Sequence, residues 1–210
     1  MIFVPFLWVY ILAAVLPAVI LLRYIYQHDT IEKEPPGLIL LLVLMGVLSA
    51  LAASVLEMFA QGILNLLVTP GTRLHTILLA FVVVAAVEEG TKFWLLKRRS
   101  WTHPAFNYRF DGIVYSVAVS LGFAGYENIQ YVLHYGLSVA LPRALLAVPG
   151  HMSLLCVWVF ITAEQSFVRT GETLWKQEKI FGRAISMRFF CTVFMMPARC
   201  WERAVQQLYF

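Results

Sequence analysis

Charge is what this chain has least of. Lys, Arg, Asp and Glu make up 13% of its 210 residues, against about a quarter in soluble domains. With 60% hydrophobic residues and a mean hydropathy of +0.76, that scarcity excludes an ordinary water-soluble globule. It implies a polytopic membrane protein whose solvent is the lipid bilayer. Cysteine is also scarce: Cys156, Cys191 and Cys200 are odd in number and lack disulfide or metal spacing. They read as small apolar residues. No polar linker divides the chain and no repeat or low-complexity tract appears, so residues 1–210 read as one domain. The net charge of +4 sits mostly in loops, where it orients a membrane protein and does not form a nucleic-acid surface.

What is present is a series of long apolar runs, which predicts an all-α transmembrane bundle of about six helices. Ile2 to Leu22 carries no charge and is too long for a signal-peptide core, so it reads as a retained first helix. Pro35-Pro36 closes the following polar loop, since proline cannot sit in a helix interior. The second helix runs from Gly37 to Met58, with an amphipathic continuation to Leu67, and the third from Leu74 to Leu96. A fourth spans Phe110 to His134, and a fifth Ser138 to Phe167 with Pro142 inside it and a break expected at Pro149-Gly150 beside His151. A last segment covers Ile180 to Met196. Loops after helices one, three and five hold Arg23, Lys33, Lys97, Arg98, Arg99, Arg109, Arg169, Lys176, Lys179 and Arg183, while the opposite loops hold only Arg73 and Arg143. The positive-inside rule then puts the N-terminus outside.

Within the third run stands Glu88-Glu89-Gly90-Thr91-Lys92. Each such charge costs about 2.5–3.5 kcal/mol at the centre of a membrane helix. Lys92 lies four residues from Glu88 and three from Glu89, so it can pair with either. One carboxylate can be held ionised while the other exchanges a proton, the starting point of a water-activating site. Counting at 1.5 Å per residue puts the glutamates about 12–14 Å from the cytoplasmic end, a depth that His151 of helix five shares. Glu127 and Asn128, about 25 Å along helix four, reach that depth only if the helix is tilted or displaced. His28, His75, His103 and His134 fall near helix ends or loops and read as surface residues. Asp111 stands at a helix start, where capping alone would explain it. Three chemistries fit this inventory: a structural network locking helices together, a proton or ion pathway, and hydrolysis by a carboxylate base with His or Asn near the oxyanion.

Four motifs in order carry a resemblance. Glu88-Glu89-x-x-Lys92, Phe110-Asp111-Gly112-Ile113-x-Tyr115, Gly122-Phe123-Ala124-x-x-Glu127-Asn128-x-x-Tyr131 and Pro149-x-His151 resemble the PrsW family of intramembrane proteases, as does Glu34-Pro35 in the first loop. That family is similar to the CAAX-protease and bacteriocin-processing superfamily. The resemblance implies an endopeptidase of the cytoplasmic membrane. It would act on a single-pass membrane substrate such as an anti-sigma factor-like regulator, with the lipid bilayer as its other partner. It implies Glu88, Glu89, Glu127, His151 and Asn128 as catalytic, with Lys92, Asp111 and Tyr131 in support. Glu89, Glu127 and His151 are the candidate ligands, and the cofactor stays open between zinc, another divalent metal and none. A non-catalytic relative that binds membrane segments would use the same scaffold. The motif-bearing core is expected over residues 29–167, with 168–210 as an atypical tail that lacks any histidine.

Overall fold

The computed structural model describes residues 4–29, 33–107, 109–156 and Val159. Apart from the connecting loops and turns, those residues are helical, without a strand. Helix α1 is Val4–His28 and α2 is Pro36–Leu67. Pro36 starts α2 at a position where its missing N–H is no loss. Helix α3, Arg73–Leu78, is capped by Thr72, whose hydroxyl accepts from the His75 N–H. It passes through a π-helical turn, Leu79–Ala85, into α4, Ala86–Ser100. Helix α5 is Arg109–Tyr135, α6 is Ala140–Leu145, and α7 covers 147–156. Four stretches are long and apolar enough to cross a membrane: Leu7–His28, Pro36–Leu67, Arg73–Ser100 and Leu137–Cys156. With α5 the described residues form five long helical segments, not six. The expected sixth, 180–196, and the tail 168–210 lie outside them.

Helix α5 is the centre of the bundle, packed most extensively on α2 and then on α1. Val114, Tyr115, Val117, Ala118, Val119, Leu121 and Ala124 are all buried. A helix enclosed by protein needs less hydropathy than one facing lipid, so α5 can carry buried Ser116 and Ser120. The outer helices instead expose Leu12, Leu16, Leu40, Leu44 and Leu48, side chains that only lipid would cover.

Two glycines make the α2–α5 crossing possible. A Cβ on Gly46 would strike the backbone of Val119 and Phe123, and one on Gly122 the backbone of Val43. Backbone cannot swing aside as a side chain does, so Gly46→Ala should cost about 1–3 kcal/mol through overpacking. Gly62, with nothing near its missing Cβ, is the control, and alanine there should gain about 0.5–1 kcal/mol of helix propensity. Thermal unfolding of the two variants in one detergent checks the opposite signs.

Two expectations need correcting. His75 is no surface residue: it is buried at the α2–α3 turn and bonds Asn65 Oδ1 at 2.8 Å through Nε2. The last span also breaks at Leu146 and not at Pro149-Gly150. Proline lacks the N–H that would bond Leu145, and its ring crowds that carbonyl, so the discontinuity appears one turn upstream. His151 is therefore inside α7, where its direction is fixed.

Candidate active site

Glu88 and Glu89 lie in the first turn of α4, immediately after the π turn, and are 9% and 8% exposed. Lys92 follows one turn on and is fully buried, as its spacing predicts. Its Nζ stands 2.6 Å from Glu89 Oε1 and 3.6 Å from Glu88 Oε2. The same ammonium is 2.8 Å from His151 Nδ1 and lies 3.8 Å over the ring of Phe123. Because the ammonium can only donate, Nδ1 accepts, which puts the imidazole proton on Nε2. Nε2 then donates to Glu127 Oε2 at 3.0 Å. The histidine thus bridges α4 and α5 with one ring nitrogen toward each. Its width closes the depth difference that separates Glu127 from the paired glutamates.

Glu127 is held from the other side by Arg143, whose Nη2 donates to the same Oε2 at 2.7 Å. Arg143 Nε donates to Asn128 Oδ1 at 2.7 Å, and the guanidinium stacks 3.7 Å over the ring of Tyr131. Asn128 is buried and gives its amide to the Ala14 carbonyl at 3.3 Å, so both ends of its side chain serve α1 and Arg143. The charge count treated Arg143 as a loop residue; it is 6% exposed and part of the polar cluster. Its only outward signal was a cation between apolar neighbours, which an interface residue also shows.

Asp111 lies elsewhere. It accepts the Asn107 N–H at 2.9 Å at the start of α5, about 24 Å along the helix from Glu127 at 1.5 Å per residue. There it neighbours Tyr115, whose hydroxyl donates to Glu34 and to the Ala105 carbonyl. Tyr26 donates to the Glu34 carbonyl at 3.0 Å, so this second cluster ties the first loop to the bundle. A cavity of about 150 Å³ opens beside the first cluster. Its walls are Ala50, Ala53, Ser54 and Glu57 of α2, Glu88 of α4, and Phe123, Glu127, Gln130 and Tyr131 of α5. Glu57, Glu88 and Glu127 are on this wall, whereas Lys92, Arg143 and His151 are not. Sequence reasoning passed over Glu57, which stands one residue before the end assigned to the second apolar run.

Comparison with known proteins decides the family. Residues 34–182 match the model for the PrsW family intramembrane metalloprotease. This chain belongs to the PrsW family. The match runs 31 residues past His151, beyond the stretch in which the motifs were recognised. The chain is 36% identical over 158 residues to the Protease PrsW of Geobacillus kaustophilus, covering 74% of this chain and 66% of that protein. It is 34% identical over 141 residues to that of Shouchella clausii (67% and 62%), and 32% over 155 residues to that of Bacillus subtilis (74% and 68%). It thus spans slightly under two thirds of the length of the first two. No solved structure matches it. Membership in this family and the four apolar spans make it a multi-pass protein of the cell membrane.

The PrsW family description implies a metal, which the residues can be asked to hold. Among the described residues Glu88, Glu89 and His151 offer ligand atoms within 4.8 Å of one another. Glu89 Oε2 is buried without a hydrogen-bond partner there. The expected set of Glu89, Glu127 and His151 does not form, because Glu127 meets the opposite ring nitrogen. Carboxylate and imidazole suit zinc, but zinc stands about 2.0–2.2 Å from such ligands. An ion at that range would abut the Lys92 ammonium, which already contacts Glu89 Oε1 and His151 Nδ1. As arranged, the residues do not fit a metal: a side-chain cation takes its place.

Proposed function

We propose that this chain is an intramembrane endopeptidase that hydrolyses a peptide bond of a single-pass membrane protein with a glutamate-activated water. The observation that carries the proposal is the polarity of the cavity wall. Glu88 lines the cavity while its contact to Lys92 is the longer of the two, at 3.6 Å against 2.6 Å for Glu89. Glu88 is therefore the base that takes a proton from water, and Glu89 keeps Lys92 and His151 in place. The hydroxide adds to the carbonyl carbon. Lys92, held 3.6 Å behind Glu88 and fixed before the reaction, offsets part of the charge that develops on the carbonyl oxygen. The substrate bond must be unwound to be attacked, because a helical carbonyl is shielded by the neighbouring turn. Freed backbone groups tolerate the bilayer only beside a polar cavity. The family resemblance points to an anti-sigma factor-like regulator as the substrate, and the loop charges to an N-terminus outside the cell.

Reconstituted in liposomes, the chain should cut a synthetic single-pass helix whose centre is softened by glycine. Cleavage should persist in excess EDTA. Proton flux without cleavage would replace the enzyme by an ion pathway. Capture of the helix without cleavage would leave a segment-binding relative. Loss of cleavage in EDTA, restored by zinc, would overturn the glutamate mechanism.

A further inference from the structure

Hydrolysis needs a base for the water and also an acid for the departing nitrogen, since an amine anion does not leave. Of the carboxyl groups around the cavity, Glu127 is engaged by Arg143 and His151. Glu89 is paired with Lys92, and Glu88 serves as the base. One remains. Glu57 lines the same cavity from α2, the helix that faces α4 and α5 across it. It makes no hydrogen bond or ion pair with the described residues and is half-buried.

Its position in the sequence is as telling. Glu57 is the only charged side chain between Pro36 and Thr72, in the most apolar of the four spans. A lone charge there is costly and nothing in the packing requires it. Ala50, Ala53, Ser54 and Glu57 recur at helical spacing along one face of α2, three small side chains and then the carboxyl, all toward the cavity. The small residues make room and Glu57 reaches into it. Burying a charge without a counter-charge is unfavourable, so a carboxyl without one is the natural carrier of a proton.

Resting on the proteolytic reading above, we infer that Glu57 is a further catalytic residue of the site, the acid that protonates the leaving amide nitrogen. Glu88 takes a proton from water as the new C–O bond forms. Glu57 gives its proton to the nitrogen as the C–N bond breaks, and the electron pair departs with a neutral amine. The base ends with one proton more and the acid with one fewer. Exchange with water in the cavity restores both.

The test compares two bonds in one substrate. The softened single-pass helix is made with its central amides intact, and again with those amides replaced by esters. An alkoxide leaves with far less help from an acid than an amine does. General acid catalysis is worth about 10²–10⁴-fold, so Glu57→Gln should slow amide cleavage by about 10²-fold or more while ester cleavage falls less than about tenfold. Glu57→Asp should recover part of the amide rate. The wild-type amide rate should fall as pH rises and the acid is lost, and that alkaline limb should be missing in Glu57→Gln. Exchanging a protonated carboxyl for an amide of the same size should not impair insertion, which size-exclusion chromatography in detergent checks. Equal losses on amide and ester would make Glu57 a structural residue, and no loss on either would remove it from the site. If wild-type protein cuts neither helix, the proteolytic reading fails and this inference with it.

Discussion

Glu88→Gln should abolish peptide-bond cleavage, by about 10²–10⁴-fold, and leave the protein folded. Glutamine keeps the volume and loses only the proton-accepting charge. Lys92 remains paired with Glu89 at 2.6 Å and bonded to His151 at 2.8 Å, so no buried cation is stranded. Glu89→Gln should be inactive too and less stable, since Lys92 would keep only the longer contact to Glu88. His151→Ala should also stop cleavage, because Glu127 and Lys92 keep their other partners but lose the bridge that aligns α4 with α5. Rates measured beside melting curves separate site chemistry from mere cohesion. If folded protein disappears in step with activity for Glu88→Gln, the cluster is glue and the water-activating role is wrong.

Lys92→Met should have the largest effect on stability. It strands two carboxylates that are almost fully buried, and breaking such a pairing typically costs about 3–5 kcal/mol. The same change removes the cation that stands among Glu88, Glu89 and His151. A divalent metal can then enter the triad. Zinc at a hundredfold excess over its Kd would restore about 2.7 kcal/mol. Calorimetric scans with and without zinc should therefore show an upward shift for Lys92→Met and none for the parent. A comparable zinc-dependent shift in both proteins would show that the ammonium does not exclude a metal.

Much of this site was legible in the sequence because a charge inside an apolar run stands out from its surroundings. Glu88, Glu89, Lys92 and His151 were readable for that reason, and the structure brings them together. Arg143 was not, since it lies near the start of an apolar stretch, where interface residues look the same. Glu57 was passed over because the second apolar run reads as weakening at Met58, whereas α2 continues to Leu67. Counting residues could not join Glu127 to His151 either. Depth along a helix ignores the reach of the side chains that cover the difference. The role of α5 was hidden for another reason. Hydropathy reports exposure to lipid, and this helix meets almost none.

The π turn between α3 and α4 also bears on how the chain can vary. Across it the Ala86 N–H bonds the Phe81 carbonyl, five residues back where an α-helix would use four. A wide turn of this kind absorbs one surplus residue without rotating what lies on either side. The angular phase of Glu88 and Glu89 about the helix axis is thereby uncoupled from that of the Thr72 cap and the loop before it. The half of the span between Thr72 and this turn can change by a residue while the carboxylates keep their bearing on His151. The width of one turn is a tolerance in length, placed directly before the residues that can tolerate none.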